Sequence, residues 1–204
     1  MCSYENLTCI LERELSRGKV MIIITGISGS GKSTVMRKLQ EVVSSGDANA
    51  FLSVDDFKIR EYEKYGFHNV VEKGILKDKA VDAFKTEVIM NARKGRNIIV
   101  EYPFAVKWQP FFDYIHDDYG YRLVVVNCNS RDFDEIWQKK VCRDNNADER
   151  HRALVADMYL DKDHWSPNFE CSNDSKNELH DQFISNYYNS ITGDVVYKES
   201  GLKE

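Results

Sequence analysis

The chain has 204 residues, 42% hydrophobic and 30% charged, which is room for one α/β domain with a sizeable core and little else. A formal net charge of −5 argues against a general coating affinity for nucleic acid, and no apolar run approaches the roughly 20 residues of a membrane span. Five cysteines stand at no CxxC or CxxH spacing, which argues against a disulfide framework and a structural zinc site.

The N-terminal stretch MCSYENLTCILERELSRGK carries acidic residues and lacks the basic-then-apolar pattern of a secretory leader, so a cytoplasmic location is expected. Residues 20–25, Val-Met-Ile-Ile-Ile-Thr, form a continuous apolar run of the kind a strand buried on both faces requires. A Gly-rich loop follows, then a helical pattern over 32–43. Residues 50–54 read as a second short strand ending at Asp55 and Asp56. The spacing of Ala80, Ala83, Phe84, Val88 and Ala92 predicts a helix over 78–94 with these residues on one face, and Gly95 as its stop. Residues 97–100 make a third strand ending at Glu101, and Pro103 prevents it from continuing as a central ladder.

Residues 123–127 read as a fourth strand, with a helix over 133–143 behind it. A fifth strand is expected at 168–172, then a turn and cap at 173–175 and a helix to about residue 188. No repeat, low-complexity tract or long linker interrupts the chain, so residues 1–204 are expected to form one domain. Strands alternating with helices imply right-handed crossovers and a parallel sheet covered on both faces. Ligands bind at the carboxyl ends of the strands in such sheets, where Thr25, Asp55, Glu101 and Asn127 are placed.

The loop Gly26-Ile-Ser-Gly-Ser-Gly-Lys-Ser33 fits G-x-x-x-x-G-K-[ST] between a predicted strand and a predicted helix. Gly29 and Gly31 let the backbone wrap so that successive N–H groups face a phosphate, and the helix beginning near Lys32 adds its partial positive charge. Lys32 is then placed to bridge the β- and γ-phosphates of ATP, and the Ser33 hydroxyl to ligate Mg²⁺. Gly26, Ser28, Gly29, Ser30, Gly31, Lys32, Ser33 and Thr34 form the expected nucleotide cradle. The fold expected is therefore a P-loop NTPase three-layer α/β sandwich with a five-stranded parallel sheet and a helical lid at about 137–165. No NKxD guanine-reading motif is present, and the run 98–102 ends in one acid and an aromatic rather than Asp-Glu, which disfavours a GTPase and a motor ATPase.

A phosphoryl acceptor needs a carboxylate to orient its hydroxyl and take the proton. Asp55 is the candidate base, and Asp56 a candidate Mg²⁺ or water contact; the same pair would also suit the start of the next helix. Glu101 closes the third strand in the same crevice, or else is a solvated strand-end acid.

A P-loop, then a strand running into Ser53-Val-Asp-Asp-Phe-Lys58, then a strand ending in Glu101, resembles a group of P-loop kinases. The group includes zeta-toxin-type sugar-nucleotide kinases, polynucleotide 5′-hydroxyl kinases and phage kinases acting on hydroxymethylated DNA bases, with uridine kinase-like enzymes more distant. The resemblance runs from about residue 19 to about residue 188. It implies that Asp55 is the base, that Lys58, where many members carry Arg, contacts substrate, and that Glu101 touches substrate or metal-bound water.

The charged stretch 137–152 lies where small kinases carry a lid. Arg143 and Arg150 are its candidate cations for the transferring phosphoryl group, although a solvated helix fits the same composition. Residues 170–179 resemble the strand–turn–helix that lies against adenine, which places Asn173 there. The aromatics Tyr102, Phe104, Trp108, Phe111, Phe112 and Tyr114 suit either base stacking or an amphipathic helix on the core.

These features fit first a kinase of a nucleoside, nucleotide or sugar-type small molecule. A kinase of a hydroxyl in nucleic acid is the alternative, and a nucleotide-dependent switch or ATPase comes third, because it gives the strand-tip carboxylates no task.

Overall fold

The computed structural model describes residues 4–26, 31–43, 47–101, 108–129 and 195–199. In chain order the elements are α1 (Tyr4–Ser16), β1 (Val20–Thr25), α2 (Lys32–Val42), β2 (Asn49–Ser53), α3 (Val54–Tyr65), α4 (Val70–Arg93), β3 (Asn97–Glu101), α5 (Gln109–Tyr119), β4 (Arg122–Asn129) and β5 (Val195–Glu199). The strands form one sheet in the order β2-β3-β1-β4-β5, with every pairing parallel. The chain leaves β1 toward one edge and later crosses back to place β4 on its other side. The end of β1 is therefore a topological switch point, where a crevice opens.

Strand periodicity divides the core. Met21, Ile23, Ile98, Val100, Leu123 and Val125 face α4 and α5, where Phe84, Val88, Trp108, Phe112 and Ile115 meet them. Ile22, Ile24, Ile99, Val124 and Val126 face the other way, onto α1 and α2 through Leu7, Leu11, Leu15, Val35, Met36 and Leu39. This is the expected three-layer sandwich, and it explains why β1 and β3 are apolar at successive positions. The amphipathic helix α1 was not anticipated from the sequence, although leucines at 7, 11 and 15 carry its buried stripe.

The helix expected over 78–94 begins earlier, at Val70. The Asn69 side chain accepts from the Glu72 backbone N–H at 2.9 Å while the Glu72 carboxylate accepts from the His68 N–H at 2.7 Å, a reciprocal cap that starts the helix there. Its buried face carries Leu76, Ala80, Phe84, Val88 and Ala92, but Ala83 is exposed, so that residue does not share the stripe. Gly95 ends the helix at φ 69° with its N–H on the Ala92 carbonyl, the left-handed stop the sequence predicts.

Residues 57–77 are helical through most of their length, in α3 and the start of α4. β5 lies at Val195–Glu199; the strand expected at 168–172, the helices expected over 133–143 and after 173, and the lid at 137–165 lie outside the described residues. Among the described residues no helix is long and apolar enough to cross a membrane.

Candidate active site

Three chain segments meet at the carboxyl end of the sheet because the strands are in register there. Glu101 pairs with Ile24 at the end of β1 on one side and with Ser53 at the end of β2 on the other. The phosphate-loop motif leaves β1 two residues after Ile24, and α3 begins one residue after Ser53. One buried acid thus stands between the motif and the Asp-Asp pair.

The motif's described residues are Gly26 and Gly31–Thr34; Ser28, Gly29 and Ser30 lie outside the described residues. Gly31 adopts φ 90° immediately before α2, a conformation L side chains rarely accept, which lets the helix start directly on leaving the loop. Lys32 and Ser33 are the first residues of α2, where the helix N-terminus favours an anion. Lys32 is buried, and the Ser33 hydroxyl donates to Glu101 Oε1 at 2.7 Å.

Glu101 is itself buried. Removal from water pushes its carboxyl above the ordinary range, and nearby Asp55 and Asp56 push the same way; the Ser33 hydrogen bond and the Lys32 charge only partly oppose them. A divalent cation relieves such a cluster. A Ser hydroxyl and carboxylate oxygens are the hard donors Mg²⁺ prefers. Among the described residues no three His, Cys, Asp or Glu side chains gather into a self-sufficient metal cage.

β2 ends at Ser53, one residue sooner than expected, and Asp55 and Asp56 occupy the first turn of α3. The acids thus complement the helix N-terminus and also stand at the sheet's ligand-binding end. Lys58 Nζ donates to Asp55 Oδ1 at 2.7 Å. Behind them Phe57 packs edge-on against Phe84, and Phe84 against Trp108, with centroids 5.6 and 5.8 Å apart. Trp108 and Phe112 are buried in the core, so base stacking is not their task; Tyr102 and Phe104 lie outside the described residues. The structure thus brings together Lys32, Ser33, Asp55, Asp56, Lys58 and Glu101, while Arg143, Arg150 and Asn173 lie outside the described residues. The direct Ser33–Glu101 contact was not foreseen; its sequence signal is an acid closing the strand that neighbours the loop strand.

The sequence model of the Zeta toxin family matches residues 8–129, more than half of the chain. The chain belongs to the zeta toxin family. It is a P-loop phosphotransferase.

Among solved structures, a protein assigned as a kinase from Chloroflexus aurantiacus is 18% identical at a TM-score of 0.56, over 68% of this chain and 74% of that one. A structure from the PezAT chromosomal toxin–antitoxin system of Streptococcus pneumoniae is 16% identical at 0.54, over 96% of this chain and 76% of that one. A chain of the Pnkp1/Rnl/Hen1 RNA repair complex is 14% identical at 0.50, over 73% of this chain and 47% of that one. At these identities the likeness establishes the fold that the zeta toxin family member shares with them. Comparison with curated proteins returned no match.

Proposed function

We propose that this zeta toxin family member transfers the γ-phosphoryl group of ATP to a hydroxyl of a nucleoside, nucleotide or sugar-type small molecule. The observation that carries the reading is the buried Glu101 hydrogen-bonded to Ser33, within electrostatic reach of Lys32, Asp55 and Asp56. A nucleotide switch needs Ser33 and Lys32 but has no use for an acidic helix turn within electrostatic reach of Glu101.

Gly26 through Thr34 cradle the triphosphate, and Lys32 spans its β- and γ-groups. Ser33, with Glu101 and Asp56, would hold Mg²⁺ or its waters, and the cation would supply neutralisation of charge developing on the transferred group. Asp55 accepts the acceptor's hydroxyl proton as the oxygen bonds to phosphorus. The bond from phosphorus to the β-phosphate bridging oxygen breaks in the same displacement, its electron pair leaving with ADP. The segment 137–165 serves as the lid of a single kinase domain, with Arg143 and Arg150 reaching the phosphoryl group and Asn173 lying near adenine. The net charge of −5 favours a small acceptor over a nucleic-acid end.

The test is transfer of label from γ-labelled ATP with Mg²⁺ to pooled nucleosides, nucleotides, sugar nucleotides and hydroxyl-ended oligonucleotides in parallel. Label is expected in one small-molecule pool, with Asp55→Asn lowering the rate by about 10²–10⁴-fold at unchanged thermal stability. Label in the oligonucleotides moves the acceptor to nucleic acid. Free phosphate released equally in every pool points to the switch.

A further inference from the structure

Asp55 does not face the cleft alone. Lys58 lies one turn further along α3 and donates from Nζ to Asp55 Oδ1 at 2.7 Å. The exposures run opposite to those of a lysine reaching out for a solute: the Lys58 side chain is 16% exposed and that of Asp55 46%. The ammonium is the sheltered member of the pair and the carboxylate the open one, the lysine stem lying along the protein.

The turn carrying both residues is itself fixed. Val54 and Ile59 are buried on either side of it, and Phe57 is locked against Phe84 and through it to Trp108. With the backbone held, the main freedom left to Asp55 is rotation of its own side chain, and a charge-assisted hydrogen bond to one oxygen limits that rotation.

We propose, on the reading of Asp55 as the base, that Lys58 is a positioning residue: it holds Oδ1 and so presents Oδ2 to the acceptor hydroxyl. This assigns Lys58 a task on the enzyme's own carboxylate in place of contact with the acceptor. Phosphoryl transfer passes through a loose transition state in which positioning counts for more than proton affinity. The hydroxyl proton passes to Oδ2 during transfer while Oδ1 keeps its bond to Lys58.

Lys58→Met and Lys58→Arg, beside Asp55→Asn, separate the possibilities when kcat and KM are measured with MgATP and the pool that takes label, or with water as acceptor through ATP hydrolysis. Lys58→Met is expected to lower kcat by about 10–100-fold with both KM values within about twofold. Lys58→Arg, which can still reach Oδ1, should recover most of the loss. An acceptor KM that rises at unchanged kcat makes Lys58 an acceptor contact and overturns the assignment, as does wild-type kcat in Lys58→Met.

A second readout needs no turnover. The ¹⁵N resonance of the Lys58 ammonium should shift in Asp55→Asn and stay in place when MgADP is added to the wild type. A resonance indifferent to Asp55→Asn overturns the contact. Wild-type protein that moves no label to any pool or to water, with the ammonium shift intact, rejects the kinase reading and the catalytic task of Lys58 with it. Equal rates in Asp55→Asn and wild type reject the base assignment, and again the task with it.

Discussion

Glu101 is held in the fold at an electrostatic disadvantage. Burial favours its protonated form, and the Ser33 hydroxyl and Lys32 offset this only in part. Because the folded state binds this proton more tightly than the unfolded chain, stability falls as pH rises from the ordinary carboxylate range through the raised value. Glu101→Gln keeps the shape, and its amide oxygen can still accept from Ser33. Without nucleotide or Mg²⁺, the variant should melt at a higher temperature than wild type at neutral pH, and the difference should shrink as pH falls toward the ordinary carboxylate range. Calorimetric scans across that window check it. The same variant should need at least about tenfold more Mg²⁺ for half-maximal transfer, since an oxygen charge beside the cation is gone. A carboxylate placed there for stability alone would give a different pairing: lower melting and an unchanged Mg²⁺ requirement.

At the scale of the elements, β3 is the strand on which the site depends, and Asn97 secures its other end. The buried Asn97 Nδ2 donates to the Leu15 carbonyl and to Asn49 Oδ1, each at 3.0 Å, and Oδ1 accepts from the Val20 N–H at 3.4 Å. One side chain thus joins the end of α1 and the starts of β1, β2 and β3, fixing the register that delivers Glu101 between Ile24 and Ser53. Asn97→Ala leaves buried backbone groups without this partner, at a cost of about 2–3 kcal/mol. Urea unfolding should show a lower midpoint at unchanged slope. A loss near zero would mean that water replaces the amide and that the strand ends are held by the ladder alone.

Across the whole molecule, α1 is tied to the sheet by charge as well as by its leucines. Glu14, a buried residue of α1, accepts from Arg122 Nη1 at 2.6 Å and from Arg17 Nη1 at 2.9 Å, and the Glu14 carbonyl accepts from Arg122 Nη2. Burial pushes the Glu14 carboxyl up, but the Arg122 hydrogen bond and the charges of Arg17 and Arg122 outweigh it and hold the group below its ordinary value. Its contribution is therefore present above the ordinary carboxylate range and lost as pH falls through the lowered value. Arg122→Met removes the main partner. The expected loss is about 1–3 kcal/mol at neutral pH, less than for a wholly buried pair because Arg122 keeps access to water. The deficit should narrow in acid, where Glu14 is protonated in both proteins; a pH-independent deficit would mean that Arg122 acts only through packing of its stem.

The sequence by itself determined the chemistry on offer and most of the sheet. A glycine-rich loop between an apolar run and a helical pattern can be read locally, because glycine tolerance and helix periodicity are properties of a few consecutive residues. The same holds for the first four strands and for Gly95. Tertiary structure decided what those groups do to one another. Ser33 and Glu101 are 68 positions apart in sequence and touch because two crossovers place β3 beside β1 in one register, which no local pattern encodes. The early start of α4 depends on a reciprocal cap at Asn69 and Glu72, and the exposure of Ala83 on where α3 and the sheet lie around that helix. β5 at Val195–Glu199 pairs in parallel with β4, and such pairing along a sheet edge is a tertiary contact that a short run of residues does not announce.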